Sequence, residues 1–173
     1  MRLLSTIHQC DVTLFYWLNH VKFHRELIHL ARTISRTGDG YLYVAVGLGY
    51  GWLAGFDSLL VKTLALAFVI ERSLYWLMKN SFKRNRPQQA LNDFISVIKP
   101  SDQFSFPSGH TSAAFMVATL MSFFFPFMLW SLLVWASLIG VSRILLGVHF
   151  PTDVLIGAVM GSSLALLSLN LLV

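Results

Sequence analysis

The chain has 173 residues, 55% of them hydrophobic and only 12% charged, with a formal charge of +5. Together with a positive mean hydropathy, that composition excludes an ordinary water-soluble domain and makes a membrane protein the default. The basic residues fall between apolar runs and not on one soluble face, so anionic headgroups or phosphates are the expected partners and nucleic acid is not.

In chain order, residues 11–36 alternate apolar positions (Leu14, Phe15, Leu18, Leu27, Ile28, Leu30) with His20, Lys22, His24, Arg25 and Arg32 at roughly helical spacing. Burying so many ionisable groups in hydrocarbon costs several kcal/mol, so an amphipathic interfacial helix is expected here, not a span, with a helix packed on the bundle away from lipid as the alternative. The N-terminus lacks a continuous apolar run followed by a small-residue cleavage site, so the first membrane helix is expected to direct insertion itself. Cys10 has no partner for an internal disulfide and reads as a small apolar residue.

Asp39-Gly40 signals a turn, after which residues 41–56 form a first, slightly short span. Asp57 marks a tight connection, and residues 58–79 form a second span whose Glu71 and Arg72 should face protein. Residues 80–107 are polar and basic, interrupted by Pro87, Pro100 and Pro107, and read as the one long loop. Residues 109–125 and 128–145 make a third and fourth span joined near Pro126, and 152–173 makes a fifth. The expected architecture is therefore an all-α integral membrane bundle: an N-terminal segment, 1–40, and a transmembrane core, 41–173. Five spans put the N-terminal segment, the long loop and the 146–151 connection on one face, with Asp57, Pro126 and Val173 on the other.

That shared face gathers three polar clusters. Lys79 and Arg86-Pro87 are followed by Pro107-Ser108-Gly109-His110, and then by Ser142-Arg143 with His149 and Asp153. A phosphate ester needs cations for its oxygens, a nucleophile or activated water, and an acid for the departing oxygen. Ser108-Gly109 opens the third span, where unpaired N–H groups and the helix dipole favour an anion; a plain Ser N-cap with a packing Gly fits equally. His149 and Asp153 flank Pro151 at the start of the fifth span, which suits either helix capping or a carboxylate-oriented imidazole. Arg143, with Gly147 permitting a tight return, can reach the same anion. Lys79 and Arg86, seven residues apart, share a face if that stretch is helical, while Lys83 and Arg84 read as anchors snorkelling to the headgroups. No Gly-rich nucleotide loop and no Cys/His cluster with metal-ligand spacing occurs.

Taken together, the clusters resemble the type-2 phosphatidic acid phosphatase family, within the superfamily it shares with vanadium haloperoxidases and bacterial acid phosphatases. Lys-x6-Arg-Pro matches Lys79, Arg86 and Pro87; Pro-Ser-Gly-His matches Pro107 through His110; Ser-Arg-x5-His-x3-Asp matches Ser142, Arg143, His149 and Asp153. The resemblance covers roughly residues 40–173 and departs at the N-terminus, where many membrane members have a further span. It implies catalysis through a phosphohistidine: His149 attacks phosphorus, Asp153 orients it, and His110 protonates the leaving oxygen. Lys79, Arg86, Ser108, Gly109 and Arg143 would hold the phosphoryl oxygens, with no metal and no cofactor. The implied substrate is a lipid phosphate or diphosphate, ranked undecaprenyl diphosphate first, then phosphatidylglycerol phosphate or phosphatidic acid. The implied location is the bacterial inner membrane with the site on its outer face, although the positive-inside rule, counting Arg2, Lys22, Arg25, Arg32, Arg36, Lys83 and Arg84, would turn that face to the cytoplasm. Transfer of the phosphate to a second lipid, and phospholipid binding without turnover, are the competing functions.

Overall fold

A computed structural model describes residues 2–20, 24–100 and 102–173, with side chains from residue 6 onward except that of residue 24. Regular structure among the described residues is all helical. The amphipathic stretch forms two helices and not one, α1 (Arg2–Asn19) and α2 (His24–Thr37); Val21 and Lys22 lie outside the described residues, as do the side chains of Arg2 and His24. Along α2 an apolar stripe at helical spacing, Ile28, Ala31 and Ile34, packs against Leu145, Leu146 and Ile139. The helix breaks at Gly38-Asp39-Gly40 and resumes as α3 (Tyr41–Ala54).

Helix α4 (Leu59–Phe82) ends where Lys83 adopts a left-handed conformation, φ 47°, and donates its backbone N–H to Lys79 O. Helix α4 takes in residues 80–82 of the expected loop, and beyond it the described loop residues hold only the single turn α5 (Pro87–Ala90). Helix α6 (Gly109–Phe124) leads through a 3₁₀ turn at Pro126–Met128 into α7 (Leu129–Leu145), and α8 (Pro151–Leu172) starts on a proline, which lacks the N–H that a first helical position leaves unpaired anyway.

The centre of the bundle is the α6–α8 contact, set by small residues. A Cβ at Gly161 would lie 2.0 Å from Ser112 O and one at Gly157 2.7 Å from Ser108 O, so only glycine lets the two backbones approach this closely. Leu64 and Ala67 of α4, Met116, Val117 and Leu120 of α6, and Ala165 and Leu169 of α8 fill the space beside it. Beyond this apolar core, large apolar side chains cover the outer surface and several polar ones are enclosed. Trp52 on α3, Trp76 on α4, Trp130 and Val134 on α7, and Leu155 and Val159 on α8 point outward, while Thr63, Glu71, Ser112, Arg143, His149 and Asp153 are buried.

Of the five expected spans, two are long and apolar enough by themselves to cross hydrocarbon, Pro126–Leu145 and Pro151–Leu172. The others fall short for visible reasons. Helix α3 has 14 residues and α6 has 16, against the roughly 20 a perpendicular span needs, and α4 carries Lys62, Glu71, Arg72 and Lys79 along its length.

Candidate active site

The polar end of the bundle is assembled where α6 and α8 begin and α4 and α7 finish. Ser108 N donates to Asp153 O across 3.0 Å, fastening the first residues of α6 to those of α8. Gly147, at φ 76°, turns the chain sharply after α7, and Val148 N reaches back to Arg143 O at 3.2 Å. His149 is thereby brought back over the end of α7, as Gly147 leads one to expect.

A cavity of about 560 Å³ opens at this junction, and His110, His149, Arg86, Arg143 and Gly109 all line it, together with Arg72, Tyr75, Asp39 and Asp102. Residues from three distant stretches of sequence therefore face one space. Ser108 sits beside it as the α6 N-cap, its Oγ paired with Thr111 Oγ1 at 2.8 Å and not with the helix backbone. Gly109 packs under Tyr75, whose ring would stand 2.8 Å from any Cβ at that position.

Lys79 and Arg86 converge, but not through a shared helical face. Helix α4 stops at Phe82, and Arg86 is extended, ψ 159°, as the residue before a proline should be. What unites them is Asp102. Lys79 Nζ donates to Asp102 Oδ2 at 2.7 Å and Tyr75 Oη to the same oxygen at 2.6 Å; Arg86 pairs with Oδ1 and donates Nε to the Asp102 carbonyl at 3.1 Å. Arg86 is further fixed by donating Nη1 to Val148 O at 2.6 Å. Burial pushes the Asp102 carboxyl up, but hydrogen bonds from Lys79 and Tyr75 and the charges of Lys79 and Arg86 outweigh it and hold it well below the usual carboxylate range. An anion already sits between the two cations.

The two histidines are held differently. His110 Nε2 lies 2.8 Å from Asp39 Oδ1, in the break between α2 and α3. His149 is 2% exposed, and its Nδ1 lies 3.8 Å from Asp153 Oδ2, within ion-pair reach but beyond hydrogen bonding. Burial pushes the His149 imidazole down to about 4, with the charges of Arg86 and Arg143 adding to the effect and Asp153 opposing it. Asp153 has other partners. Its Oδ2 accepts Phe150 N at 2.8 Å, and its Oδ1 accepts Arg84 Nη1 at 2.8 Å.

Arg84 thus departs from the expected headgroup anchor. It turns inward, stacks over the Phe150 ring at 4.5 Å, and donates Nη2 to Asp11 Oδ2 at 2.6 Å. Asp11, buried on α1, also accepts Thr152 N at 2.9 Å and so caps α8. Burial of the Asp11 and Asp153 carboxylates is affordable only with such a partner between them. Lys83, at the exposed α4 C-terminus, stays at the surface. Arg143, 5% exposed, donates Nη1 to Ser35 Oγ of α2 at 2.6 Å.

Sequence reading missed Asp11, Asp39, Tyr75, Arg84 and Asp102. Asp102 is one of two acids in the basic loop, with Asp93, and its place six residues before Ser108 was the one available signal for it; the others carry no local pattern. Among the described residues no group of three or more His, Cys, Asp or Glu side chains is placed to hold a metal ion.

Residues 58–173 match the PAP2 superfamily. Bacitracin transport permease protein BcrC of Bacillus licheniformis is 34% identical over 69% of this chain and 60% of that protein, and phosphatidylglycerophosphatase B of Bacillus subtilis is 36% identical over 69% and 61%. The chain therefore spans about three fifths of the length of the curated relatives it matches. Among solved structures, Aquifex aeolicus LpxE superposes with a TM-score of 0.82 at 33% identity, covering 92% of this chain and 94% of that one. The first transmembrane PAP2-type phosphatidylglycerolphosphate phosphatase from Bacillus subtilis gives 0.77 at 27% identity, covering 96% and 86%. With the match extending from the start of α4 to the last residue and the superposition reaching α1, the chain belongs to the PAP2 superfamily.

Proposed function

We propose that this protein is a membrane lipid phosphatase that releases phosphate from a lipid phosphate or diphosphate through a phosphohistidine. The carrying observation is the convergence of His110, His149, Arg86 and Arg143 on one cavity. Nδ1 of His149 faces Asp153, which leaves Nε2 to attack phosphorus. As the N–P bond forms, the bond from phosphorus to the lipid oxygen breaks, and His110 gives that oxygen its proton. Water then attacks the phosphohistidine, the proton returns to His110, and orthophosphate and free His149 result. Lys79, Arg86 and Arg143 neutralise the phosphoryl oxygens while Ser108 and Gly109 present the start of α6 to them. Asp102 occupies part of that cradle, so substrate must displace it.

The relatives' names support the substrate class: phosphatidylglycerophosphatase B, and an undecaprenyl-diphosphatase of Sulfolobus acidocaldarius 33% identical over 63% of this chain and 53% of that protein. Undecaprenyl diphosphate ranks first, then phosphatidylglycerol phosphate or phosphatidic acid. Five spans are the reading that keeps the site, the long loop and the N-terminal segment, 1–40, on one face of the core, 41–173. That face is taken to be the outside of the bacterial inner membrane, as the family resemblance implies.

The test is a panel of labelled lipid phosphates assayed for label release. Free phosphate from at least one is expected, with His149→Ala reducing it by about 10³-fold or more while still binding lipid and His110→Ala by about 10²–10⁴-fold. Label on a second lipid would indicate phosphotransfer, and unchanged release by His149→Ala would end the mechanism.

A further inference from the structure

A second cavity, of about 290 Å³, adjoins the catalytic one. Arg32, Ser35 and Arg36 of α2, Lys99 of the long loop, Asp39 and Arg143 line it, with Arg143 and Asp39 also lining the first cavity. Four cations thus face one carboxylate, and that carboxylate is already engaged with His110. Arg143 forms the partition. Its Nη1 is tied to Ser35, whereas its buried Nε has no hydrogen-bond partner among the described residues. Arg32 donates Nη2 to Val97 O at 3.1 Å, which holds the loop carrying Lys99 across the α2 surface.

The two cavities differ in what they suit. The catalytic one reaches Val44 and Phe68 between α3 and α4, an apolar margin fit for a lipid tail. The second is walled by guanidinium forks and an ammonium, the donor set that binds phosphate oxygens. A phosphate dianion freed at His149 would lose its hydration without compensation on an apolar route, and the basic cavity beyond Arg143 offers the polar one.

We propose that this second cavity is a phosphate-binding subsite, sharing Arg143 with the reaction centre. The inference rests on the lipid-phosphatase reading for its purpose but not for its measurement. Its ligand is a phosphate group, either orthophosphate leaving the enzyme or the second phosphoryl group of a bound diphosphate.

The experiment titrates orthophosphate into the purified full chain by calorimetry and follows hydrolysis of short-chain lipid mono- and diphosphates. Two phosphate equivalents are expected for the wild type and one for Arg36→Gln/Lys99→Gln, with both retained in the charge-preserving Arg36→Lys/Lys99→Arg, which also controls for folding. Orthophosphate inhibition weakened about tenfold, with KM for mono- and diphosphate moved equally, assigns the subsite to released phosphate; a tenfold rise in KM confined to the diphosphate assigns it to the substrate's second phosphoryl group. A single equivalent in the wild type, or two in the Gln variant, overturns the proposal. Failure of the wild type to hydrolyse any lipid phosphate would sink the functional reading while leaving the titration readable.

Discussion

At the scale of single residues, the site is dominated by how burial and charge divide the work between two histidines. Burial of His149, with the charges of Arg86 and Arg143 adding to it and Asp153 opposing, holds its imidazole down to about 4 against an ordinary histidine near 6.5. A neutral imidazole is the form that attacks phosphorus, so kcat/KM should hold up on acidification and fall only as pH passes through about 4. A pH–rate profile with its acid limb at the ordinary histidine value would contradict this. The same shift has a stability consequence. Between pH 6.5 and about 4 the unfolded chain takes up a proton that the folded one refuses, so stability should decline as pH drops through that window. Asp102 makes a separate prediction. Because its carboxylate lies between Lys79 and Arg86, Asp102→Ala should free both cations and tighten inhibition by vanadate or orthophosphate about tenfold, worth ~1.4 kcal/mol. Weaker inhibition would mean that Asp102 positions the cations instead of competing for them. Lys79 and Arg86 were legible as a spaced motif, but the acid between them was not, because a loop residue's partner is fixed only when the loop closes.

At the scale of elements, α1 acts on the reaction centre without touching it. Asp11 on α1, Arg84 after α4, and Thr152 and Asp153 at the start of α8 form one chain of contacts. Asp11→Asn leaves the Arg84 guanidinium with half its compensation and α8 with a weaker cap. The expected cost is roughly 3 kcal/mol, at the lower end for breaking a buried ion pair, read as a fall in the thermal unfolding midpoint in detergent, with kcat reduced through Asp153. A midpoint and kcat both equal to wild type would show that α1 merely lies against the bundle. The amphipathic pattern of the N-terminal region was visible in sequence, as charge among apolar residues. Its division into α1 and α2 was not, and the choice between an interfacial helix and one docked on the bundle stayed open, since an amphipathic stripe looks the same whether it faces lipid headgroups or other helices. Gly157 and Gly161 were equally silent: their role exists only because Ser108 and Ser112 of α6 lie opposite.

At the scale of the whole molecule, large apolar side chains face outward on α3, α4, α7 and α8 while charged and polar groups such as Glu71, Arg143, His149 and Asp153 are buried beside the apolar core, an arrangement suited to lipid. The proposed five-span topology would place Val173 on the opposite side from His110 and His149, so a reporter fused after Val173 should read cytoplasmic if the site faces outward. An outward reporter would invert the assignment and vindicate the positive-inside count. Charge along the loops argues one way and the family resemblance the other.

By itself the sequence determined the helical class, the order of the long apolar runs, and the three clusters whose spacing identifies the family, because periodicity and motif spacing are local properties of the chain. Only the tertiary structure decided that Asp102 sits between the two cations, that Asp39 holds His110, that Arg84 turns inward to bridge Asp11 and Asp153, and that Arg143 divides two cavities. Each of these is a contact between residues far apart in the chain, made by the close packing of α6 on α8 and by a loop folded over the helix ends, and no local pattern encodes such a meeting.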